Sequence, residues 1–365
     1  MGNPLKIGVV GVGKISEQYF AEFPKLPGLE LVAVADLDLA RAKAVAAEQG
    51  VEALTVDEIL LDPRIDAILN LTIPAAHVEI GTRALEAGKH VYAEKPLALA
   101  PDEAVGMLEL ATQRGLRVGS APDTVLGTGV QTARELLDSG RIGEPVGAAA
   151  HWSAPGHEAW HPAPEFYYQP GGGPLFDMGP YYLTSLVSLF GPVARVFGTA
   201  TRSDRTRTVA QGPRAGNTID VSIDTHINAT LVHANGLTST LFVSFEVWAT
   251  RAPLFEVFGT DGTISVADPN WFSKSTEIWT TENPEWTEAP AAAGYQDAGR
   301  GVGLADMAHA IETDRPHRAS GELAFHVLEI MDAVMASSRD GQVIDLKSTA
   351  PRPDVVALGT TPSDW

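Results

Sequence analysis

The sequence of 365 residues contains no cysteine, which excludes disulfide bonds and thiolate metal sites. It also lacks any apolar stretch close to the roughly 20 residues that a membrane-spanning helix requires. No charged segment followed by an apolar run, the pattern of a signal peptide, stands at its beginning. From these absences we expect a soluble, cytoplasmic protein without a membrane partner.

Basic residues are comparatively few: 26 lysines and arginines stand against 46 acidic residues, and the formal net charge is −20. Because phosphate backbones are bound by basic surfaces, this balance predicts that nucleic acid is not a partner. An acidic surface instead favours solubility. No histidine–carboxylate cluster has the spacing of zinc ligands, and we predict no metal site.

The first part of the chain, residues 1–125, alternates short apolar runs with longer helical patterns, as βαβ units do. The predicted strands are Leu5–Val10, Leu31–Ala35, Ala67–Leu71, His90–Tyr92 and Arg117–Gly119, and the predicted helices are Ile15–Phe23, Leu39–Gln49, His77–Ala87 and Pro101–Arg114. Asp38 and Gly50 fit the start and the stop of the second helix. Each strand is apolar on both faces, which is typical of parallel strands covered by helices. The pattern therefore predicts an α/β domain with a doubly wound parallel sheet, a Rossmann domain.

A second, α+β domain is predicted over residues 126–365. Its β-type runs are Val193–Thr201, Ile219–His233, Leu237–Val247, Leu254–Gly259 and Thr263–Val266, and its helices are Tyr181–Phe190, Leu304–Glu312 and Glu322–Ser337. Asn235-Gly236 and Asp261-Gly262 lie between neighbouring runs and indicate β-hairpins. We therefore predict a large, open, mainly antiparallel sheet. The tail Pro351–Trp365 lacks periodicity.

A glycine turn follows the first predicted strand. Gly11 permits the tight turn, and Gly13 lets the backbone approach a pyrophosphate at the start of the first helix. Lys14 and Ile15 come next and are assigned to the same site. A serine follows where the dinucleotide-binding fingerprint prefers glycine or alanine, but the strand before and the helix after the turn favour this interpretation.

Asp36 ends the second predicted strand, 23 residues beyond Gly13. A carboxylate at this position accepts hydrogen bonds from the adenosine ribose hydroxyls. It also repels the 2′-phosphate of NADP, so NAD is the predicted cofactor and NADP is disfavoured. Arg41, one helical turn further on, could partly offset this repulsion, but we interpret it as a solvent-facing helix residue.

The most specific pattern in the chain is AGKHVYAEKP at residues 87–96. AGKHV followed by EKP resembles the glucose–fructose oxidoreductase, inositol dehydrogenase and rhizopine-catabolism family (Gfo/Idh/MocA). The resemblance extends over nearly the whole chain, through the glycine turn, the segment at residues 72–77 and the segment at residues 171–179. It implies a dehydrogenase with an N-terminal Rossmann domain.

The resemblance places Lys95, the lysine of EKP, beside the nicotinamide and the substrate hydroxyl, with Glu94 on the cofactor side. A position just beyond a strand also agrees with ligand binding at the carboxyl ends of a parallel sheet. An ammonium there stabilises alkoxide character as hydride leaves. The family often has a cis peptide before the residue that corresponds to Pro96. The preceding turn adds three cofactor-side residues, of which the histidine is predicted to cap its helix: Thr72, Ile73 and His77.

The family's second signature is an aspartate, a glycine two residues on and a histidine four residues on, at a helix start. Asp177 matches the aspartate, where it also suits a helix N-cap, and Tyr181 replaces the histidine, as in glucose–fructose oxidoreductase. A spacing of four places both side chains on one helical face. Asp177 then holds a substrate hydroxyl, and Tyr181 accepts the proton if Lys95 stabilises its phenolate. His161 is the alternative base.

Residues 151–168 are rich in aromatic side chains, which suit a sugar site as well as ordinary packing. Trp160, His161 and Tyr182 are assigned to substrate binding. We predict an NAD-dependent dehydrogenase that oxidises a secondary hydroxyl of a sugar, inositol or related polyol, or reduces the keto-sugar. Two alternatives stay open: an NAD-dependent glycosidase working by transient oxidation and elimination, and a non-catalytic NAD-binding sugar sensor. The resemblance also implies that the second domain serves substrate binding and oligomerisation, in a homodimer or homotetramer.

Overall fold

The computed structural model describes residues 3–360, so residues 1–2 and the last five residues of the predicted tail lie outside the described range. Up to Ser120, strands and helices alternate as the sequence predicts. The strands are β1 (Leu5–Val10), β2 (Leu29–Ala35), β3 (Glu52–Leu54), β4 (Ala67–Asn70), β5 (His90–Ala93) and β6 (Val118–Ser120). The helices are α1 (Ser16–Glu22), α2 (Leu39–Gln49), α3 (Val56–Leu61), α4 (His77–Glu86) and α5 (Pro101–Arg114).

These strands pair in parallel in the order β3-β2-β1-β4-β5-β6. This is the order of a doubly wound dinucleotide-binding sheet, so the predicted Rossmann fold is confirmed. The predicted start and stop of α2 are also confirmed. The Asp38 carboxylate accepts the N–H groups of Ala40 and Arg41, and Gly50 ends the helix in the left-handed conformation.

The β3 strand and the α3 helix are absent from the sequence prediction. The strand has only three residues, too few to show a periodic pattern. The helix nevertheless has a local signal, because Thr55 and Glu58 form a capping box, in which each side chain bonds the other residue's N–H.

Beyond Ser120 the chain forms a second sheet with four further helices among the described residues. The helices are α6 (Thr128–Asp138), α7 (Gly173–Phe190), α8 (Val302–Glu312) and α9 (Gly321–Asp340). The strands are β7 (Pro145–Ser153), β8 (Val193–Thr201), β9 (Arg207–Thr208), β10 (Thr218–Ile219), β11 (His226–His233), β12 (Thr238–Ser244), β13 (Phe255–Gly259), β14 (Gly262–Ser265), β15 (Glu277–Thr280), β16 (Thr287–Glu288) and β17 (Ile344–Asp345).

Nine of these strands form one open sheet in the order β16-β15-β14-β13-β7-β12-β11-β8-β17. Only β7 and β12 pair in parallel, and the other neighbours are antiparallel. The predicted open, mainly antiparallel sheet is confirmed, and so are the hairpins β11–β12 and β13–β14. The predicted strand Ile219–His233 is too long, because Ile219 pairs with Arg207 in a separate two-stranded ribbon.

The α7 helix begins at Gly173, eight residues before the predicted start at Tyr181. Gly173 has φ of +88°, which a glycine adopts without strain, and Pro174 occupies the first turn, where its missing N–H costs no hydrogen bond. Asp177 therefore lies within the helix, and its prediction as a possible N-cap is wrong.

The two sheets meet through helices that return to the first sheet. The α8 and α9 helices pack on β6, and Gly119 bridges Ser320 next to the start of α9. The carboxyl ends of β5 and β6 thus lie close to residues from the second half of the chain. The domain boundary at residue 125 stays a prediction. No helix within residues 3–360 combines the length and apolar character needed to cross a membrane.

Candidate active site

The glycine turn after β1 has the shape of a dinucleotide cradle. Gly11 has φ of +92°, and a Cβ on it would lie 2.8 Å from the backbone of Leu71. A Cβ on Gly13 would meet no heavy atom within 4 Å, which leaves room for a ligand. Within residues 3–360, the N–H groups of Gly13, Lys14 and Ile15 donate no hydrogen bond. These N–H groups suit a pyrophosphate.

Asp36 lies beside this turn at the end of β2. Its carboxylate accepts the N–H groups of Val12 at 2.9 Å and Asp38 at 2.8 Å, and Arg41 Nη2 at 2.9 Å. Burial by itself raises the pKa of Asp36, but these donors outweigh it and hold the pKa below its ordinary value. Arg41 is exposed, as its interpretation as a solvent-facing helix residue predicts, but its guanidinium also pairs with Asp36.

The segment after β4 forms the opposite wall of the cradle. The Thr72 hydroxyl donates to Asn70 Oδ1 at 2.6 Å, and the Ile73 side chain is 70% exposed. His77 does not cap its helix, contrary to the prediction. Its buried ring instead lies between two carbonyl oxygens, with Nδ1 2.7 Å from Pro96 O and Nε2 3.0 Å from Thr72 O. It thereby joins the segment after β4 to the segment after β5.

Glu94 and Lys95 follow β5 directly. Glu94 is buried and accepts the Tyr19 hydroxyl at 2.8 Å and the Lys95 N–H at 3.1 Å. This contact ties the EKP segment to the helix that follows the glycine turn. The peptide bond between Lys95 and Pro96 is cis, as the resemblance implies.

Lys95 and Asp177 form an ion pair that joins the two halves of the chain. Lys95 Nζ lies 3.0 Å from Asp177 Oδ1 and 2.7 Å from the Asp177 carbonyl oxygen. Burial by itself lowers the pKa of Lys95 and raises that of Asp177. The negative charge of Asp177 outweighs the effect of burial on Lys95, and the positive charge of Lys95 contributes to outweighing it on Asp177. The pKa of Lys95 is therefore raised and that of Asp177 lowered. Both groups are charged at neutral pH.

His157, which the sequence prediction left outside the site, contacts the second oxygen of Asp177. His157 Nε2 lies 2.8 Å from Asp177 Oδ2, and Trp160 Nε1 donates to His157 Nδ1 at 3.2 Å. Because an indole N–H only donates, Nδ1 must accept and Nε2 carries the proton. His157 is therefore a neutral donor to Asp177. Its position in an aromatic stretch was the only signal in the sequence.

Tyr181 lies one helical turn after Asp177, as predicted. The centroid of its ring is 5.3 Å from Lys95 Nζ, and its hydroxyl accepts Arg300 Nη2 at 3.0 Å. His161, the alternative base, makes no hydrogen bond to Asp177 or Lys95 within residues 3–360; its Nδ1 accepts the N–H of Ala163. The contacts favour Tyr181.

Aromatic side chains extend outward from this centre. The Trp160 side chain is 53% exposed, Phe166 is exposed as well, and the rings of His161 and Tyr167 lie between them. Tyr182 does not fit its prediction as a substrate residue. Its ring is fully buried on another face of α7, with its hydroxyl 3.4 Å from Asp268 Oδ1.

Within residues 3–360 no group of three histidine or carboxylate side chains converges in a way that could hold a metal ion. The absence of a metal from the reaction stays a prediction.

Two family models match the chain. Residues 5–121 match the oxidoreductase family with an NAD-binding Rossmann fold, and residues 130–265 match the GFO/IDH/MocA C-terminal domain. Together they cover about two thirds of the chain, including the glycine turn, the EKP segment and α7.

Among characterised and uncharacterised relatives, a dTDP-3,4-didehydro-2,6-dideoxy-alpha-D-glucose 3-reductase of Streptomyces violaceoruber is 34% identical, over 58% of this chain and 62% of the relative. An uncharacterized oxidoreductase of Rhizobium meliloti is 30% identical over 73% of this chain and 75% of the relative. A levoglucosan dehydrogenase, solved with NADH and L-sorbose, has a similar fold. Its TM-score is 0.79 at 19% identity, with 95% of this chain and 100% of that chain covered.

Proposed function

The chain belongs to the GFO/IDH/MocA family of oxidoreductases with an NAD-binding Rossmann domain, and from this we propose that it is an NAD-dependent sugar dehydrogenase. It oxidises a secondary hydroxyl of a neutral sugar, inositol or related polyol, or reduces the corresponding keto-sugar. The observation that carries the proposal is the contact of Lys95 with both Asp177 and Tyr181. It joins the carboxyl end of the cofactor-binding sheet to the substrate half of the chain.

The glycine turn, Asp36 and the segment at residues 72–77 would hold the dinucleotide, because they supply free N–H groups, a ribose acceptor and an exposed apolar side chain. NAD, when bound, supplies the acceptor for the hydride. Asp36 favours NAD over NADP, since its ionised carboxylate repels a 2′-phosphate.

Each of the three central side chains has a role that follows from its charge. Lys95 keeps its proton at neutral pH, so it donates a hydrogen bond to the reacting oxygen and stabilises alkoxide character. Asp177 stays ionised and accepts a hydrogen bond from a neighbouring substrate hydroxyl. Tyr181 exchanges the hydroxyl proton, taking it up as phenolate on oxidation and returning it on reduction.

The surroundings of the site support a carbohydrate substrate. Trp160 and Phe166 present exposed aromatic faces next to polar groups, and sugars pack their C–H faces on such rings. The named relatives point in the same direction, since one reduces a dideoxy-keto-glucose nucleotide and the structural neighbour is a levoglucosan dehydrogenase. Unlike the charged nucleotide sugar of that relative, the substrate proposed here is neutral, because Asp177 already neutralises the charge of Lys95.

The test is a panel of neutral sugars and inositols with NAD⁺, followed by reduced-nicotinamide absorbance in single turnovers. Lys95→Ala should lower the hydride-transfer rate at least about 100-fold while NAD⁺ affinity changes little, because the ammonium acts on the transition state. Lys43→Ala, on the exposed face of α2, is the matched control. A Lys95→Ala variant within tenfold of wild type, or a panel without any absorbance change, would overturn the proposal.

We also propose that the protein is a cytoplasmic homodimer or homotetramer that pairs through the outer face of the large sheet. Neighbouring outward positions on β8, β11 and β12 carry Phe197, Thr230 and Thr240. Phe197 is an exposed large apolar side chain on this face, and such a surface is suited to contact with a second copy. Sedimentation of the full chain, with Phe197→Asp as the disrupting variant, tests this proposal; a monomeric wild type contradicts it.

A further inference from the structure

Arg300, which the sequence pattern does not single out, donates the hydrogen bond that Tyr181 accepts. Both side chains are buried, and the guanidinium carbon lies 5.7 Å from the Tyr181 ring centroid. A guanidinium has no acceptor, so the O–H of Tyr181 points away from Arg300. Arg300 therefore fixes which side of the phenol oxygen is free for proton exchange.

The Arg300 guanidinium is incompletely paired. Within residues 3–360 the bond to Tyr181 is the only hydrogen bond that its side chain makes. Its Nη1 lies 3.8 Å from Asp123 Oδ1, beyond hydrogen-bond distance, and both atoms are buried without a partner. Because a buried charge without a full counter-charge is costly, an anion at the Tyr181 oxygen would satisfy Arg300 better than a neutral phenol does.

Backbone hydrogen bonds anchor the residues that follow Arg300. Asp123 Oδ2 accepts the N–H groups of Gly301 at 2.8 Å and Gly303 at 3.1 Å, which holds the start of α8. A Cβ on Gly303 would lie 2.1 Å from the Tyr92 hydroxyl, so this segment lies directly against β5. The Arg300 side chain thus extends from an anchored segment of backbone.

Other titratable groups also face this pair. Lys95 and Tyr167 face Tyr181, and Asp177 lies one helical turn before it. A second set of groups faces Arg300: Glu94, Asp123, Tyr19 and Tyr92. Burial by itself lowers the pKa of Arg300, but the surrounding oxygens outweigh it and the pKa stays above its ordinary value. Lys95 pairs with Asp177 and lies over the Tyr181 ring. Among residues 3–360, Arg300 is the cation that bonds the phenol oxygen itself.

We propose that Arg300 is a positioning residue for proton transfer, which stabilises the phenolate of Tyr181 and directs its free lone pair to the substrate. The inference rests on the proposed function, in which Tyr181 exchanges the substrate proton. On oxidation the proton of the substrate hydroxyl moves to the phenolate oxygen of Tyr181. The carbon that bears this hydroxyl loses a hydride, which bound NAD⁺ would accept, and reduction reverses both transfers. Arg300 keeps its own protons throughout.

The experiment compares Arg300→Met, Arg300→Lys and Tyr181→Phe with wild type in two readouts. The first is the pH profile of kcat/KM with the sugar that the panel identifies. The second is the ultraviolet pH titration of tyrosinate, from which the contribution lost in Tyr181→Phe isolates Tyr181. Arg315→Met is the matched control, because Arg315 pairs with buried Asp306 and does not touch Tyr181.

Arg300→Met should shift the part of the kcat/KM profile that rises with pH, and the Tyr181 titration, to higher pH by about one to two pH units. At neutral pH kcat/KM should fall about tenfold or more and recover at high pH. Arg300→Lys should lie between, and it carries the test if Arg300→Met does not fold. Unmoved profiles and titrations in an active enzyme overturn this inference and leave the proposed function intact. A shifted titration in a protein that oxidises no sugar refutes the function and retains the Arg300–Tyr181 link.

Discussion

At the scale of single residues, Trp160 determines which nitrogen of His157 carries the proton, and through it how Asp177 is held. Trp160→Phe keeps the aromatic face but removes the indole N–H. A hydrogen bond of this kind contributes about 0.5–1.5 kcal/mol, so kcat/KM should fall about threefold to tenfold. Steady-state kinetics measure the effect, with Trp271→Phe, another exposed tryptophan, as control. Wild-type activity in Trp160→Phe would show that this bond does not orient His157.

Arg41 gives a second residue-scale prediction, because its guanidinium bonds the Asp36 carboxylate and would be released to pair with a 2′-phosphate once Asp36 is removed. Asp36→Ala should bind NADP⁺ about tenfold more tightly than wild type and NAD⁺ about tenfold more weakly. Adding Arg41→Ala should abolish the gain for NADP⁺. Calorimetric titration of the three proteins with both dinucleotides gives the affinities. If Arg41→Ala leaves the NADP⁺ affinity of Asp36→Ala unchanged, Arg41 has no part in cofactor choice.

At the scale of elements, two glycines differ in the space available for a Cβ atom. Gly106 lies on the exposed face of α5 with open space at its Cβ position, so Gly106→Ala should stabilise the protein by about 0.5–1 kcal/mol. Gly198 lies on β8, where a Cβ would meet Val334 O of α9 at 2.5 Å. Gly198→Ala should destabilise by about 1–3 kcal/mol, since backbone cannot move aside.

Chemical denaturation of both glycine variants measures these free energies of unfolding. The two substitutions add the same methyl group, so each serves as the control for the other. A stable Gly198→Ala variant would mean that α9 does not pack directly on β8, although Gly198 N–H donates to Ser337 Oγ at 2.9 Å.

At the scale of the whole molecule, His326 couples stability to pH. Its ring is fully buried between α9, β8 and the segment before the tail: Nε2 accepts the Val193 N–H at 3.0 Å, and Nδ1 lies 2.8 Å from Ser348 Oγ. Burial lowers its pKa from 6.5 to about 4. Because the fold holds the neutral ring, its contribution is complete above pH 6.5 and is lost as pH falls toward 4.

The free energy of unfolding should therefore drop by up to about 3 kcal/mol from this group over that range. His326→Asn should flatten this part of the stability curve, whereas His226→Asn, on the partly exposed outer face of β11, should leave its slope unchanged. Denaturant titrations at several pH values measure both curves. Parallel curves for wild type and His326→Asn would refute the assignment.

Local pattern made part of the site predictable. Gly11, Gly13 and Asp36 lie within one βαβ unit, and Lys95 follows the next-but-one apolar strand, so spacing alone places them at one sheet edge. His157 and Arg300 carried no such signal, because their partners stand 20 and 119 residues away. Such distant contacts exist only after the two sheets have packed.

The Tyr181–Tyr182 pair shows the same limit. The two tyrosines are neighbours in sequence, but consecutive side chains on a helix point in directions about 100° apart. The Tyr181 ring lies beside Lys95, whereas Tyr182 is fully buried with its hydroxyl towards Asp268. Only the packing of α7 against the sheet decides which face is which.

The sequence by itself determined the alternation of strands and helices, the glycine turn, the acidic end of β2 and the lysine beyond β5, because these follow from short-range periodicity and from the conformational freedom of glycine. The tertiary structure alone decided which side chains surround that lysine. Asp177 contacts it from α7, His157 holds Asp177 from a second segment, and Arg300 bonds Tyr181 from a third. These polar contacts are strong because burial removes water from between the side chains.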